Sequence, residues 1–232
     1  MPNILITGSN RGIGLELVRQ YAQADWRVYA TCRHPAEAHE LHGLAKENGQ
    51  ISIHRLDVTV AEDIKAIGWA LEDVPLDILY NNAGVYLEDD YLKPAPGTIR
   101  YDLWLRTLEV NSLGAVRVSE ALLDNVAASD MRLITVMTSH MGSIEDISIP
   151  GSYYYRSSKA ALNAAMRGFA EALRERGIGV LLLHPGGVQT RMGPSDGIRP
   201  AESVRGLRQV IDAFTPDQTG LFFRYDGEPM PW

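Results

Sequence analysis

"NILITGSNRGIG", from Asn3 to Gly14, joins an apolar run to a glycine-rich turn and then to a helical pattern. Asn3–Thr7 reads as a buried strand, and Ile13, Leu17, Val18 and Tyr21 fall on one side of a helix over 12–24. Gly8 permits the tight turn, Gly12 lets the backbone approach a pyrophosphate, and Gly14 lets helix and strand pack closely. The helix N-terminus then offers unpaired N–H groups and a partial positive charge to phosphates. Gly8, Ser9, Asn10, Arg11, Gly12, Ile13 and Gly14 are therefore the candidate phosphate loop. The spacing is not G-x-G-x-x-G and no Gly-Lys-Ser/Thr follows, which argues against a P-loop nucleotide triphosphatase.

The rest of the chain continues the alternation. Strands are expected at 27–31, 51–56, 76–81, 132–138, 179–185 and 220–225, with helical stretches at 35–48, 61–71, 100–128 and 155–176. Seven strands alternating with helices predict one α/β domain over residues 1–232, a doubly wound Rossmann-type parallel sheet flanked by helices. Loops are expected at 86–99, around Pro94, Pro96 and Gly97, and at 191–200. Both leave carboxyl ends of strands, where such sheets bind ligands.

Composition narrows the function. A formal charge of −7 over 232 residues argues against a nucleic-acid partner. A lone cysteine, Cys32, forms no intramolecular disulfide, and no stretch has the length of a membrane span. With the first strand beginning at Asn3, a cytoplasmic protein without a signal peptide is expected. His34, His39 and His42 lack ligand spacing and read as a solvated helix face, so no metal is expected.

The second strand ends in Cys32 and Arg33, where an NAD-binding chain often carries an acid for the ribose hydroxyls. With Arg11 also available, two guanidiniums would attract a 2′-phosphate, so NADP(H) is expected over NAD(H).

"YYYRSSK" (153–159) supplies a phenol and an ammonium on one helix face, because positions four apart align and positions five apart do not. Tyr155 is thus the tyrosine that pairs with Lys159. A phenol ordinarily ionises near pH 10, and bringing it near 7 takes roughly 4 kcal/mol of phenolate stabilisation, which a nearby ammonium helps supply.

These segments, taken with "LDV" (56–58), "NNAG" (81–84), "EVNSLG" (109–114), "TSHMG" (138–142) and "HPGGVQT" (184–190), resemble the short-chain dehydrogenase/reductase family in order along nearly the whole chain. "YRSSKAALNAAMRGFAEAL", "LHPGGVQTRMG" and "YDGEPMPW" are similar to its sniffer-type carbonyl reductase and C-factor branch. The resemblance implies that Asp57 and Val58 hold the adenine, and that Asn82, Ala83 and Gly84 line the adenosine pocket. It implies that Pro185, Gly186, Val188 and Thr190 hold the nicotinamide side, and that Ser139, Tyr155, Lys159 and Asn111 form the catalytic set. Ser139 would donate to a carbonyl oxygen, Tyr155 would exchange the proton, and Asn111 would support a water-linked proton path to Lys159. Sixteen residues separate Ser139 from Tyr155, more than in many members, and Ser143 is the alternative serine.

The expected activity is hydride transfer between NADP(H) and a carbonyl or alcohol, with His140, Tyr153 and Met192 as candidate substrate contacts. A homodimer or homotetramer would follow the family's use of the two long helices. The competing reading is a non-catalytic nucleotide-binding redox sensor or a C-factor-like signalling protein.

Overall fold

A computed structural model describes residues 1–88 and 95–232. Seven strands, β1 (Asn3–Thr7), β2 (Arg27–Cys32), β3 (Ile51–Arg55), β4 (Ile78–Asn81), β5 (Leu133–Met137), β6 (Gly179–His184) and β7 (Phe222–Arg224), form one sheet. Its order is β3-β2-β1-β4-β5-β6-β7, and every pairing is parallel. The strands read as unbroken apolar runs because both faces are covered. Along β1, Ile4 and Ile6 enter one core and Leu5 the other. In β6, Val180 and Leu182 face the side of Leu5, while Leu181 and Leu183 face the opposite side.

Helices α1 (Gly12–Gln23) and α2 (His39–Glu47) cover the face of Ile4, through Leu17 and Leu41. Helices α3 (Ala61–Ala70), α5 (Gly114–Ala121) and α7 (Tyr153–Leu173) cover the face of Leu5, through Ile64, Val118 and Leu162. The strand order reverses between β1 and β4, and that switch point opens a crevice at the carboxyl ends.

The expected single helix over 100–128 is divided. It comprises α4 (Tyr101–Leu108), a π-helical turn over Glu109–Leu113, α5, and the short α6 (Leu123–Ala127). The wide turn lets the buried Asn111 amide donate to Val85 O at 2.9 Å and to Ser158 Oγ at 3.0 Å. A further helix, α8 (Pro200–Asp212), follows the 191–200 loop and was not expected. Pro200 opens it, and Val204, Leu207 and Ile211 bury one face against α1's side of the sheet. Part of the expected 86–99 loop, residues 89–94 including Pro94, lies outside the described residues. The segment after Ser139 is pinned by the Trp232 carbonyl, which accepts from Ile144 N, Glu145 N and Ser143 Oγ at 2.9, 3.0 and 3.1 Å.

Candidate active site

The crevice contains a cavity of about 360 Å³ that runs from the glycine turn to the start of α7. At one end, α1 begins after Arg11, whose side chain makes no cap bond among the described residues, and its first turn carries no acid. Its N–H groups and dipole are thus available to an anion. Gly12 has φ +56°, and a methyl there would stand 3.4 Å from the Thr190 methyl. A methyl on Gly14 would stand 2.2 Å from Gly8 O, so glycine is required for the helix to approach the turn.

The turn is held from β4. Asn82 Nδ2 donates to Thr7 O at 2.9 Å and to Gly8 O at 3.1 Å. The Thr7 hydroxyl accepts from the backbone N–H groups of Asn82 and Ala83 at 3.0 and 2.9 Å. Gly8, Asn10, Arg11, Gly12, Ile13 and Gly14 line the cavity. Ser9 does not: it is fully buried, its hydroxyl donates to Ile6 O at 2.7 Å, and its N–H donates to Thr31 O. Ser9 braces β1 against β2, with its side chain turned away from the cavity wall.

Cys32, Arg33, Asp57 and Val58 line the next part of the cavity, with Asn82, Ala83 and Gly84 across from them. Burial raises the Cys32 thiol pKa. Burial also pushes the Asp57 carboxyl upward, but hydrogen bonds from Thr59 and the Arg106 and Arg33 guanidiniums outweigh it, leaving the group lowered and ionised. Arg106 on α4 lies 3.9 Å from Asp57 and also lines the cavity.

Ser139, His140, Tyr155, Lys159, Pro185, Gly186, Val188 and Met192 also line the cavity, together with Thr190 beside Gly12. Lys159 is buried, its ammonium donates to Met137 O at 2.8 Å, and burial brings its pKa down to about 8. The nitrogen lies 5.7 Å from the Tyr155 ring centre. A methyl on Gly84 would stand 3.7 Å from that nitrogen and 3.3 Å from Asn111 Oδ1, so glycine keeps the approach to Lys159 open. Ser139 Oγ accepts from Met141 N at 3.1 Å while Ser139 borders the cavity. Ser143 is buried and donates to Trp232 O, outside the cavity wall.

Asn111 lies behind the wall rather than on it. Its Oδ1 accepts from Val85 N at 2.7 Å and its amide donates to Val85 O, so it holds the loop leaving β4. Tyr153 is not among the described residues lining the cavity; Tyr86 is, with its ring 5.2 Å from that of Tyr155.

A family model described as short chain dehydrogenase matches residues 2–198. The chain belongs to the short-chain dehydrogenase family. C-signal of Myxococcus xanthus is 44% identical over 159 residues, covering 68% of this chain and 93% of that protein. The carbonyl reductase Sniffer of D. melanogaster superposes with a TM-score of 0.91 at 32% identity, covering all of both chains. An NADPH-bound carbonyl reductase from chicken fatty liver gives 0.92 at 30%, covering 100% of this chain and 99% of that one.

As a short-chain dehydrogenase, the chain offers residues that fit a nicotinamide dinucleotide. The bare helix end and Gly12 suit the pyrophosphate, and Arg11 and Arg33 line the same cavity as Cys32, which ends β2 where an acid would otherwise stand. Sequence reasoning missed Thr7, Tyr86, Arg106 and His184. Thr7 and His184 stood inside quoted segments without a motif role. Tyr86 and Arg106 reach the cavity through loop and helix packing, which no local spacing encodes. His184 packs 4.9 Å from His140, centre to centre, and its Nδ1 is buried without a hydrogen-bond partner among the described residues. Burial, then His140 and Arg224, bring its pKa down to about 3, so its ring is a neutral part of the wall.

Proposed function

We propose that this short-chain dehydrogenase reduces carbonyl compounds with NADPH, or oxidises the matching alcohols with NADP⁺. The observation that carries the reading is the shared cavity wall of Ser139, Tyr155 and Lys159, continuous with the phosphate turn. The dinucleotide supplies the hydride when bound. Ser139 orients the carbonyl oxygen through its hydroxyl, and Tyr155 donates the proton that the oxygen then needs. Lys159, as an ammonium, favours the phenolate left behind and offers donors to a ribose. Asn111 keeps Val85 and its loop in place beside Lys159.

Arg11, Arg33 and Arg106 around the ribose end, with no carboxylate at the end of β2, support the phosphorylated cofactor. Val85, Tyr86, His140, Met141 and Met192 form a largely apolar and aromatic wall, which supports aromatic or aliphatic ketones and aldehydes over sugars. Tyr101, Leu105 and Leu113 are exposed apolar residues along α4 and the turn after it, and they support pairing between copies. NADPH oxidation measured across aldehydes, ketones and quinones, with Tyr155→Phe as control, tests the reading. Identity to C-signal supports a second reading, a nucleotide-dependent signalling protein; tight NADPH binding with no turnover across that panel would favour it.

A further inference from the structure

Helix α7 presents Tyr155 as its third residue, so the conformation of the first turn sets where the phenol stands. The approach to that turn is unusual. Gly151 has φ +95° and Ser152 has φ +53°, a left-handed conformation that is strained for a non-glycine residue. Such a conformation persists where its surroundings impose it, and here they come from a loop 66 residues earlier.

The first N–H groups of a helix have no partner within it and need one from outside. For α7, two of them find the same side chain. Tyr154 N donates to Glu88 Oε1 and Tyr155 N donates to Glu88 Oε2, each at 3.2 Å. Glu88 is 7% exposed and lies in the stretch that follows β4, whose Val85 and Tyr86 border the cavity. That stretch is fastened at two further points: Asn111 holds both backbone groups of Val85, and the Tyr86 and Ser152 hydroxyls share a hydrogen bond of 2.9 Å.

A buried carboxylate is a costly cap. Burial raises the Glu88 pKa against the two amide bonds and the Arg156 guanidinium, so the ionised form is disfavoured by its own surroundings. A serine or aspartate with extended backbone just before the helix would cap it locally and more cheaply.

We propose that Glu88 is a positioning residue for catalysis: its carboxylate caps α7 from the loop after β4 and thereby locks Tyr155 against the substrate wall. This rests on the reading of Tyr155 as the proton donor. The cap ties two halves of one site together, since the loop that brings Val85 and Tyr86 to the substrate also fixes the residue that protonates it.

Glu88→Gln keeps the shape but leaves one acceptor and no charge, and Glu88→Ala removes both. Turnover is expected to fall about tenfold in the first and about a hundredfold in the second, the scale of a misplaced catalytic group. KM for NADPH should stay as in the wild type, and the melting temperature of Glu88→Gln should be unchanged or higher. A merely structural role would lower melting temperature, cofactor affinity and turnover together; that pattern, or wild-type turnover in both variants, overturns the proposal. Absence of wild-type turnover on every carbonyl would sink the functional reading instead. The cap is then decided by near-ultraviolet titration of Tyr155, with Tyr155→Phe as the subtracted blank. A different midpoint in Glu88→Gln supports the coupling, and the same midpoint overturns it.

Discussion

Lys159 stands one helical turn beyond Tyr155, with its ammonium 5.7 Å from the phenol ring centre and bonded to the Met137 carbonyl at 2.8 Å. The carbonyl fixes the lysine to the end of β5, so sheet and helix together set the distance between the two groups. Tyr155→Phe removes the proton and leaves this scaffold. We expect turnover to fall about a thousandfold with NADPH affinity retained, measured by steady-state kinetics and by fluorescence titration of the cofactor. Retained turnover would mean that another group supplies the proton.

Burial of Lys159 carries a signature in stability. Its pKa of about 8 in the fold lies below the ordinary 10.5, so between those values the unfolded chain binds more protons. Stability of the cofactor-free protein should therefore rise with pH from about 8 to 10.5. Lys159→Met should remove that rise while abolishing turnover. Denaturant midpoints of both proteins across that range check the sign; a parallel pH dependence would refute it.

Cys32 ends β2 beside Arg33 and borders the cavity. Cys32→Asp places a carboxylate near a 2′-phosphate, and we expect NADPH affinity to drop about tenfold or more while NADH gains. Cys32→Ser, without the charge, should keep the original preference. The ratio of kcat/KM for the two cofactors measures both, and equal ratios in all three proteins would remove the argument.

Gly14→Ala would set a methyl 2.2 Å from Gly8 O, within the bend that the phosphates need. The turn must move, at a cost of about 1–3 kcal/mol, and cofactor affinity should fall with it. Gly43→Ala, at an exposed position inside α2 with nothing within 4 Å of the added methyl, is the matched control; it should leave cofactor affinity unchanged and raise stability by about 0.5–1 kcal/mol. Urea unfolding and cofactor titration of the pair separate the two effects.

The parts of this protein legible in its sequence are those governed by local pattern. Unbroken runs such as Ile4–Ile6 and Val180–Leu183 announced strands covered on both faces, and four-residue spacing selected Tyr155 over Tyr153 and Tyr154. Helix α8 was equally written there, in Pro200 followed by Val204, Leu207 and Ile211, but the prolines and glycines before it drew attention to a loop. Ser9 read as a phosphate contact because of its neighbours, yet its side chain turns inward to Ile6 and Thr31. Arg106, Tyr86 and Glu88 were beyond local reading. Each acquires its place from packing between segments far apart in the chain, and no periodicity records that.

The π-helical turn at Glu109–Leu113 also constrains how this chain can change its length. The wide turn takes in one residue more than an ordinary helical turn, so removing a single residue there would restore ordinary helical hydrogen bonding and leave α4 and α5 near their present mutual orientation. Trp104 would keep its donation to Ser157 Oγ and its stacking on Tyr154, but the wide turn from which Asn111 reaches Val85 would be gone. At this point the length of the chain is itself part of the site: one codon deleted would spare the packing of the helices and take away the hold on the loop beside Lys159.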